Sequence, residues 1–188
     1  MFNFKEEEIL GIKIITSPVF LDSRGKFVKK FHKSTYITNE ISLEAKEEII
    51  SISKKGVMRG LHFQTKHPQA KLINVIKGKI YDVAVDLRLG SLTYGEHFGL
   101  ELSSENNLML YIPEGFAHGF LSLEEDTIVS YLCSTEYEPE HDSGLRFDDP
   151  DLEIQWPKLD LDYIVSEKDR NLPRFRDFKG FNIGNYED

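Results

Sequence analysis

The stretch Gly56-Val57-Met58-Arg59-Gly60-Leu61-His62-Phe63-Gln64 sets an arginine, an imidazole and an amide between two apolar, strand-like runs, and a lysine follows shortly after it. Side chains of a strand alternate between two faces, which puts Gly60, His62 and Gln64 on one face and Arg59 on the other. Gly60 leaves space beside His62. A base next to open space, with cations nearby, suits proton abstraction beside the carbonyl of an anionic substrate. Taken alone, His62 is explained equally well as a structural histidine of a strand.

Short runs rich in β-branched residues, separated by turn residues, extend on both sides of this stretch. The first is Ile9–Thr16, and a polar turn at Asp22–Gly25 leads into a strand that ends at about Phe31. Lys33–Leu43 has the spacing of one short helix. Further strands are predicted at 49–53, 72–76, 79–88, 98–102, 108–112, 116–121 and 127–133, with Lys77-Gly78 as a tight hairpin between two of them. So many short strands with few helices predict an all-β sandwich or barrel.

The C-terminal part of the chain lacks this pattern. Residues 136–188 contain Pro139, Pro150, Pro157 and Pro173, and they are predicted to form an irregular segment that packs over the barrel. The polar tail after Gly180 is predicted to be disordered. With 188 residues the chain suits a single domain, residues 1–188, whose core needs no disulfide.

Composition excludes several classes of function. The formal net charge of −9 argues against broad nucleic-acid binding, which needs basic surfaces, but it permits a small anionic ligand in a local cationic pocket. No signal-peptide core and no membrane-spanning run is apparent, so a cytoplasmic protein without membrane contact is expected. Cys133 lies in an apolar run and is expected to be a small core residue, not a nucleophile.

A metal site is the first chemical alternative to weigh. Pro113-Glu114-Gly115-Phe116-Ala117-His118 resembles the second metal motif of the cupin superfamily, in which a turn delivers a histidine into a small β-barrel. The companion motif needs two histidines and a glutamate, whereas here His62 is followed only by Gln64. With Lys71 and Arg59 nearby the pocket is already cationic, so neither a metal nor another cofactor is expected.

Read together, these blocks resemble the dTDP-4-dehydrorhamnose 3,5-epimerase family over about Val19 to Asp169. The blocks that carry the resemblance are Asp22–Gly25, Ser51–Ser53, Val57–Gln64, Gln69–Leu72, Asp82–Arg88, Ser91–Gly95, Pro113–Phe120, Ile154–Pro157 and Ser166–Asp169. The resemblance implies a cupin-like double-stranded β-helix, or jelly roll, with a few short helices. It also implies epimerisation of a nucleotide-linked 4-keto-6-deoxy sugar, foremost dTDP-4-dehydro-6-deoxy-D-glucose.

In that family the base matches His62, and the aspartate that orients it matches Asp169. Lys71 matches the lysine that stabilises the enolate oxygen, and Tyr131 matches the acid on the opposite face of the sugar. Such a division of roles agrees with chemistry beside a ketone, where a base, an enolate partner and an acid are all needed. Without the resemblance, Tyr131 would be interpreted as a packing residue and Asp169 as a solvated carboxylate.

The resemblance also implies a set of substrate-binding residues. These are Arg24, Lys29, Glu47, Ser51, Arg59, Gln64, His118 and Tyr137. Arginine forks at Arg24 and Arg59 suit a nucleotide diphosphate. Lys29 stands where the family commonly has glutamate, and Glu47 and Ile49 stand where it commonly has glutamine and asparagine. These departures concern the nucleotide and sugar rather than the base.

Several alternatives therefore stay open. The chain could act at C3 or C5 alone, or take a CDP- or GDP-linked sugar. A 3,4-ketoisomerase shares the fold but places its bases differently, and a nucleotide-sugar binding module without catalysis would have no use for the complete proton-transfer set. A homodimer with exchange of an N-terminal strand is expected from the resemblance and from the edge-like first strand.

Overall fold

The computed structural model describes residues 1–9 and 11–182, and most of its regular elements are short strands. In chain order they are β1 (Asn3–Glu6), β2 (Lys13–Thr16), β3 (Val19–Asp22), β4 (Gly25–Val28), β5 (Glu47–Ser53), β6 (Val57–Gln64), β7 (Lys71–Lys77), β8 (Lys79–Asp86), β9 (Arg88–Leu89), β10 (His97–Ser103), β11 (Leu108–Ile112), β12 (Phe116–Ser122), β13 (Thr127–Cys133), β14 (Asp142–Gly144), β15 (Ile164–Val165) and β16 (Phe181–Asn182). The helices are α1 (Lys33–Thr38), α2 (Glu167–Arg170) and a 3-10 turn at Phe175–Asp177.

Two sheets form the body of the molecule. The first has the strand order β1-β2-β11-β7-β13-β5, and the second has the order β10-β8-β12-β6-β14, with β15 parallel to β6. Apolar side chains such as Ile73, Phe120 and Val129 fill the space between the sheets. The predicted all-β jelly roll with a few short helices is thereby confirmed.

The outer faces of the two sheets are also partly covered. Outside the second sheet, Leu61, Val83 and Val85 pack against side chains that come after β14, including Leu152 and Trp156. The N-terminal residues and α1 cover part of the first sheet through the ring of Tyr36. Burial on both faces explains why few strands in the middle of these sheets show a clean apolar and polar alternation. That residues 1–188 constitute one domain stays a prediction.

The predicted hairpin at Lys77-Gly78 was wrong. β7 lies in the first sheet between β11 and β13, whereas β8 lies in the second sheet between β10 and β12. Gly78 is the corner where the chain passes from one sheet to the other, with φ of 80°. A Cβ at this position would come within 2.5 Å of the Thr127 hydroxyl, so a glycine is needed. Sequence spacing alone does not distinguish such a corner from a hairpin.

Two predictions about the ends of the chain also need correction. The N-terminal region contains two strands that pair with each other, β1 and β2, instead of one strand over Ile9–Thr16. At the other end, the tail predicted to be disordered begins too early, since Phe181 is buried and β16 pairs with β9. The rest of that tail, 183–188, lies outside the described residues. Within the described part of the chain, no helix has the length and apolar character needed to cross a membrane.

Candidate active site

A pocket of about 290 Å³ opens between the two sheets at their β5 and β14 edges. Its walls come from β5, β6, β7, β12 and β13, together with the segments around Tyr137 and α2. The lining residues are Ile49, Ser51, Arg59, His62, Phe63, Gln64, Gln69, Lys71, His118, Gly119, Phe120, Tyr131, Cys133, Tyr137, Asp142 and Lys168. The structure thus brings together most of the site residues predicted from the sequence.

A bulge in β6 turns two of its polar side chains to the same side. The pairing of β6 with β12 shifts register between His62 and Arg59, where β6 carries one residue more than its partner strand. Both side chains line the pocket, so the prediction that Arg59 points away from His62 was wrong. Gly60, at φ of 112°, lies at the bulge, and a Cβ there would come within 2.5 Å of Gly119 Cα. Close contact of two backbones explains the glycines at this crossing.

The imidazole of His62 is held by Asp169. His62 Nε2 lies 2.8 Å from Asp169 Oδ1, and the backbone N–H of Gly60 donates to Oδ2 of the same carboxylate at 3.3 Å. The side chain of His62 is 32% exposed toward the pocket, whereas that of Asp169 is only 6% exposed. Burial raises the pKa of Asp169, but the hydrogen bonds and charge of His62 outweigh it and leave that pKa below its usual value. A carboxylate that stays ionised fixes the orientation of the His62 ring and places a negative charge beside it.

The element that delivers Asp169 is the short helix α2. Ser166 caps it, since its hydroxyl accepts the Asp169 backbone N–H at 3.0 Å. α2 lies against β6 beside the strand β15, which pairs with the start of β6. Asp169 therefore reaches His62 across 107 positions of sequence.

Lys71 enters the pocket from the facing sheet. Burial lowers the pKa of its amine, while the negative charges around it act in the opposite direction. Cys133 is its neighbour on the adjacent strand β13 and is fully buried, as predicted for a core residue. Burial raises the pKa of the Cys133 thiol, which therefore stays protonated at neutral pH. A partly buried amine in the wall of a pocket, where screening by water is reduced, is well suited to stabilise negative charge that develops on a bound substrate.

Tyr131 lies on the same facing sheet, and its hydroxyl is 2.9 Å from the Ser51 hydroxyl. Burial raises the pKa of the Tyr131 phenol well above its usual value. Tyr131 also contacts the ring of His118, with 6.0 Å between ring centroids. The phenol is therefore a protonated group with a fixed position, opposite the wall that carries His62.

The side chain of Gln64 holds a segment of the pocket rim in place through hydrogen bonds. Its side-chain amide donates to the carbonyl oxygens of His67 and Glu136 and accepts the N–H of Glu138 at 2.6 Å. These bonds fasten the segment that carries Tyr137, another predicted site residue, to the end of β6. Gln64 is buried although it lines the pocket.

Tyr137 and Glu47 lie together at the same rim. The Tyr137 hydroxyl donates to Asp142 Oδ2 at 2.7 Å, and its backbone N–H donates to Glu47 Oε2 at 2.8 Å. Lys168 forms an ion pair with Asp142. Asp142 begins the three-residue strand β14 and Lys168 lies in the short helix α2. Neither was predicted as a site residue, because elements this short show no periodic pattern.

Two predicted substrate-binding residues, Arg24 and Lys29, do not line this pocket. Arg24 is at the tip of the β3 and β4 hairpin, where its guanidinium pairs with Asp22 and its side chain is 88% exposed. Lys29 follows β4 on the same projecting segment. Within one chain, the structure therefore separates these two side chains from the other predicted site residues.

Across residues 1–9 and 11–182, no group of three or more His, Cys, Asp or Glu side chains is arranged to hold a metal ion. The polar groups of the pocket suit proton transfer instead, with an imidazole and carboxylate pair on one wall and an amine and a phenol on the other. Two facing sheets with such a site define an isomerase-type enzyme of the cupin fold. The sequence model described as dTDP-4-dehydrorhamnose 3,5-epimerase matches residues 6–177, and the chain belongs to that family.

Relatives support this membership over nearly the whole chain. A dTDP-4-dehydrorhamnose 3,5-epimerase from Methanothermobacter thermautotrophicus is 48% identical and covers 94% of this chain and 96% of its own length. The crystal structure of a dTDP-6-deoxy-D-glucose-3,5-epimerase from Legionella pneumophila, in complex with dTDP-4-keto-L-rhamnose, is 37% identical with a TM-score of 0.90, covering 94% of both chains. A 3'-monoepimerase from Streptomyces bikiniensis in complex with dTDP-quinovose is 30% identical with a TM-score of 0.83, covering 90% of this chain and 86% of its own.

Proposed function

We propose that the chain inverts C3 and C5 of a nucleotide-linked 4-keto-6-deoxy sugar, converting dTDP-4-dehydro-6-deoxy-D-glucose into dTDP-4-dehydro-L-rhamnose. The observation that carries this proposal is the facing arrangement of the pocket, with His62 and Asp169 on one wall and Lys71 and Tyr131 on the other. Membership of the epimerase family and the dTDP-sugar bound to the Legionella relative support the substrate class.

Deprotonation is the first chemical step. The C–H bonds at C3 and C5 are acidified because each is next to the C4 ketone. His62 takes the proton, and the electron pair of the broken C–H bond moves into an enolate whose oxygen lies by the ammonium of Lys71. The resulting imidazolium is stabilised by Asp169. Placing a charge partner where the oxyanion develops can lower the barrier by about 3 kcal/mol.

Reprotonation comes from the opposite face. Tyr131 donates its phenolic proton to the carbon, which inverts that centre and leaves a phenolate. The hydrogen bond to Ser51 connects the phenol to the exposed edge strand β5, from which a proton can be returned. His62 loses its proton to solvent, and both groups are restored for the second centre.

The nucleotide would be held at the mouth of the pocket. Arg59 is exposed there, and its Nε donates to Ser53 at 3.1 Å, which leaves the outer edge of the guanidinium for phosphate oxygens. His118 and Tyr137 line the sugar end of the same cavity. Glu47, which holds the Tyr137 backbone, contributes to this end without being part of the chemical step.

A single-centre epimerase is the second candidate function, favoured by the likeness to the Streptomyces monoepimerase.

A CDP- or GDP-linked substrate is the other alternative, because Lys29, Glu47 and Ile49 differ from the residues common in the family at these positions. Titration of the protein with dTDP, CDP and GDP separates the nucleotides, and tightest binding of dTDP is expected. Turnover is tested by supplying dTDP-4-dehydro-6-deoxy-D-glucose and separating the products. Binding of dTDP with no conversion at all would favour a module without catalysis.

Dimerisation would explain where Arg24 and Lys29 act. The β3 and β4 hairpin pairs only with itself among the described strands, yet it exposes 56% of Phe20 and 70% of Phe27. An apolar hairpin of this kind needs a partner surface. The edge strand β5, which carries pocket residues on one face and exposed isoleucines on the other, offers that surface on a second copy. The hairpin would then bring Arg24 and Lys29 to the partner's pocket.

Replacing Phe20 and Phe27 with glutamate is expected to convert dimers into monomers in sedimentation and to weaken dTDP binding at least tenfold. Arg24→Ala should weaken dTDP binding without changing the mass, and Leu92→Glu, an exposed site elsewhere, should change neither. A monomeric parent that binds dTDP fully would contradict this arrangement.

Exchange of an N-terminal strand stays a prediction, and β1 forms the free edge of its sheet. A cytoplasmic location also stays a prediction.

A further inference from the structure

A second histidine and carboxylate pair lies behind the pocket wall. Both carboxylate oxygens of Asp82 are 3.0 Å from His118 Nε2. The Asp82 side chain is completely buried, and the His118 side chain is 5% exposed. Asp82 shares the inner face of β8 with Ile80 and Ala84, which belong to the apolar core between the sheets. Neither the family description nor the mechanism above gives Asp82 a role.

Burying a carboxylate at this position costs more free energy than a purely structural contact between two strands requires. Burying a charge between two apolar sheets removes its hydration, and one hydrogen-bond partner does not replace that hydration. An amide or an apolar pair would connect β8 with β12 at lower cost. The charge of Asp82 is therefore expected to serve something inside the pocket.

The groups that face Asp82 come from three other strands. His118 on β12 bonds to it directly, and Lys71 on β7 and Tyr131 on β13 line the same pocket as His118, where the charge of Asp82 raises the pKa of both groups. For Lys71 the surrounding acidic groups are Cys133, Asp82, Asp142 and Glu47. The thiol of Cys133 is protonated at neutral pH because burial raises its pKa, so it supplies no negative charge.

The remaining two carboxylates are already engaged at the rim of the pocket. Asp142 pairs with Lys168 and Tyr137, and Glu47 accepts the backbone N–H of Tyr137. Of these three carboxylates, Asp82 is the one whose side chain is completely buried. Because screening by solvent is weakest there, its charge acts on Lys71 most effectively.

We propose that Asp82 is a positioning residue of the proton-transfer site: it fixes the His118 ring with Nδ1 available to the pocket and provides the buried countercharge that keeps Lys71 an ammonium. This role rests on the proposed function of Lys71 at the enolate oxygen. Loss of the charge leaves burial of the amine uncompensated, so more of Lys71 is neutral at a given pH and less positive charge faces the enolate.

Asp82→Asn tests the charge while keeping an acceptor for His118 Nε2. Turnover at the pH optimum is expected to fall about 10- to 100-fold, the range found when a carboxylate that orients a metal-bound histidine is lost, with KM changed less than twofold. The alkaline limb of the kcat profile should move to lower pH, since the amine deprotonates earlier. An unchanged profile, or a loss confined to KM, would overturn the proposal.

Asp86→Asn is the matched control. Asp86 is equally buried four residues along β8, but Arg88, Ser91 and Thr93 hold its carboxylate outside the pocket. This variant is expected to unfold at lower temperature while the pH profile of kcat in its folded fraction stays in place. An equal displacement of the profile in Asp86→Asn would mean that any buried carboxylate has this effect, and would overturn the specific role of Asp82.

A thermal unfolding cycle with Lys71→Met tests the coupling without any turnover, so it stands even if the proposed reaction is wrong. Asp82→Asn leaves the Lys71 ammonium without its countercharge, and Lys71→Met leaves the Asp82 carboxylate with His118 alone, whereas the double variant removes both charges. The melting temperature of Asp82→Asn/Lys71→Met should therefore fall by clearly less than the sum of the single losses. If Asp82→Asn alone does not fold, recovery of folding in the double variant supports the pair. Additive losses, or no recovery, would overturn it.

Discussion

His62→Ala is expected to abolish hydrogen exchange at both C3 and C5 of the substrate. Loss of a positioned general base typically costs about 10²- to 10⁴-fold, and both carbons lie beside the same ketone and depend on the same imidazole. Binding of dTDP should change little, because the groups assigned to the diphosphate are elsewhere. Asp169 loses its principal hydrogen-bond partner in this variant, so a small loss of stability is expected as well.

The measurement is proton NMR of the 4-keto sugar in deuterated water, together with dTDP titration by calorimetry. His97→Ala is a suitable control, since His97 lies on β10 away from the pocket lining and should leave exchange intact. Asp169→Asn should retain part of the activity, because the base remains but loses its ionised partner. Undiminished exchange in His62→Ala would remove His62 from the role of base.

Tyr131→Phe is expected to separate exchange from inversion. His62 can still remove the proton and, being 32% exposed, exchange it with solvent before returning it to the same face. Deuterium should therefore enter with retention of configuration, whereas formation of the inverted sugar should fall about 10²- to 10³-fold for want of an acid on the other face. Ser51 loses its partner hydroxyl, which costs about 1 kcal/mol of stability.

Tyr111→Phe is the matched control for this result. Tyr111 is a partly buried tyrosine on β11 of the same sheet, but it does not line the active-site pocket. Exchange and inversion should both be unchanged in that variant. Equal and complete loss of exchange in His62→Ala and Tyr131→Phe would count against separate roles for the base and the acid.

The sequence predicts where the strands begin and end better than it predicts which strands pair with each other. Strands β10 to β13 were predicted within a residue or two, because each is a short run containing apolar residues and is bounded by turn residues. The Lys77-Gly78 corner was taken for a hairpin, since a glycine with positive φ serves either geometry. Which sheet a strand joins depends on contacts far apart in sequence, and these are not encoded in local spacing.

The site shows the same division between local and distant information. His62 and Gln64 were visible as polar residues in a strand. The bulge at Gly60 was not visible, because period-two alternation assumes an unbroken strand. Asp169 required the resemblance to known epimerases, since nothing within its own segment connects it to a histidine more than 100 residues earlier.

The central claim is that this chain inverts two stereocentres by removing a proton from one face and returning it to the other. Proton NMR of dTDP-4-dehydro-6-deoxy-D-glucose, incubated with the purified parent protein in deuterated water and followed at C3 and C5 separately, tests it most directly. We expect deuterium at both carbons together with the signals of the L-lyxo sugar. Deuterium and inversion at one carbon alone would identify a single-centre epimerase, and no exchange at either carbon with folded, dTDP-binding protein would contradict the proposed reaction.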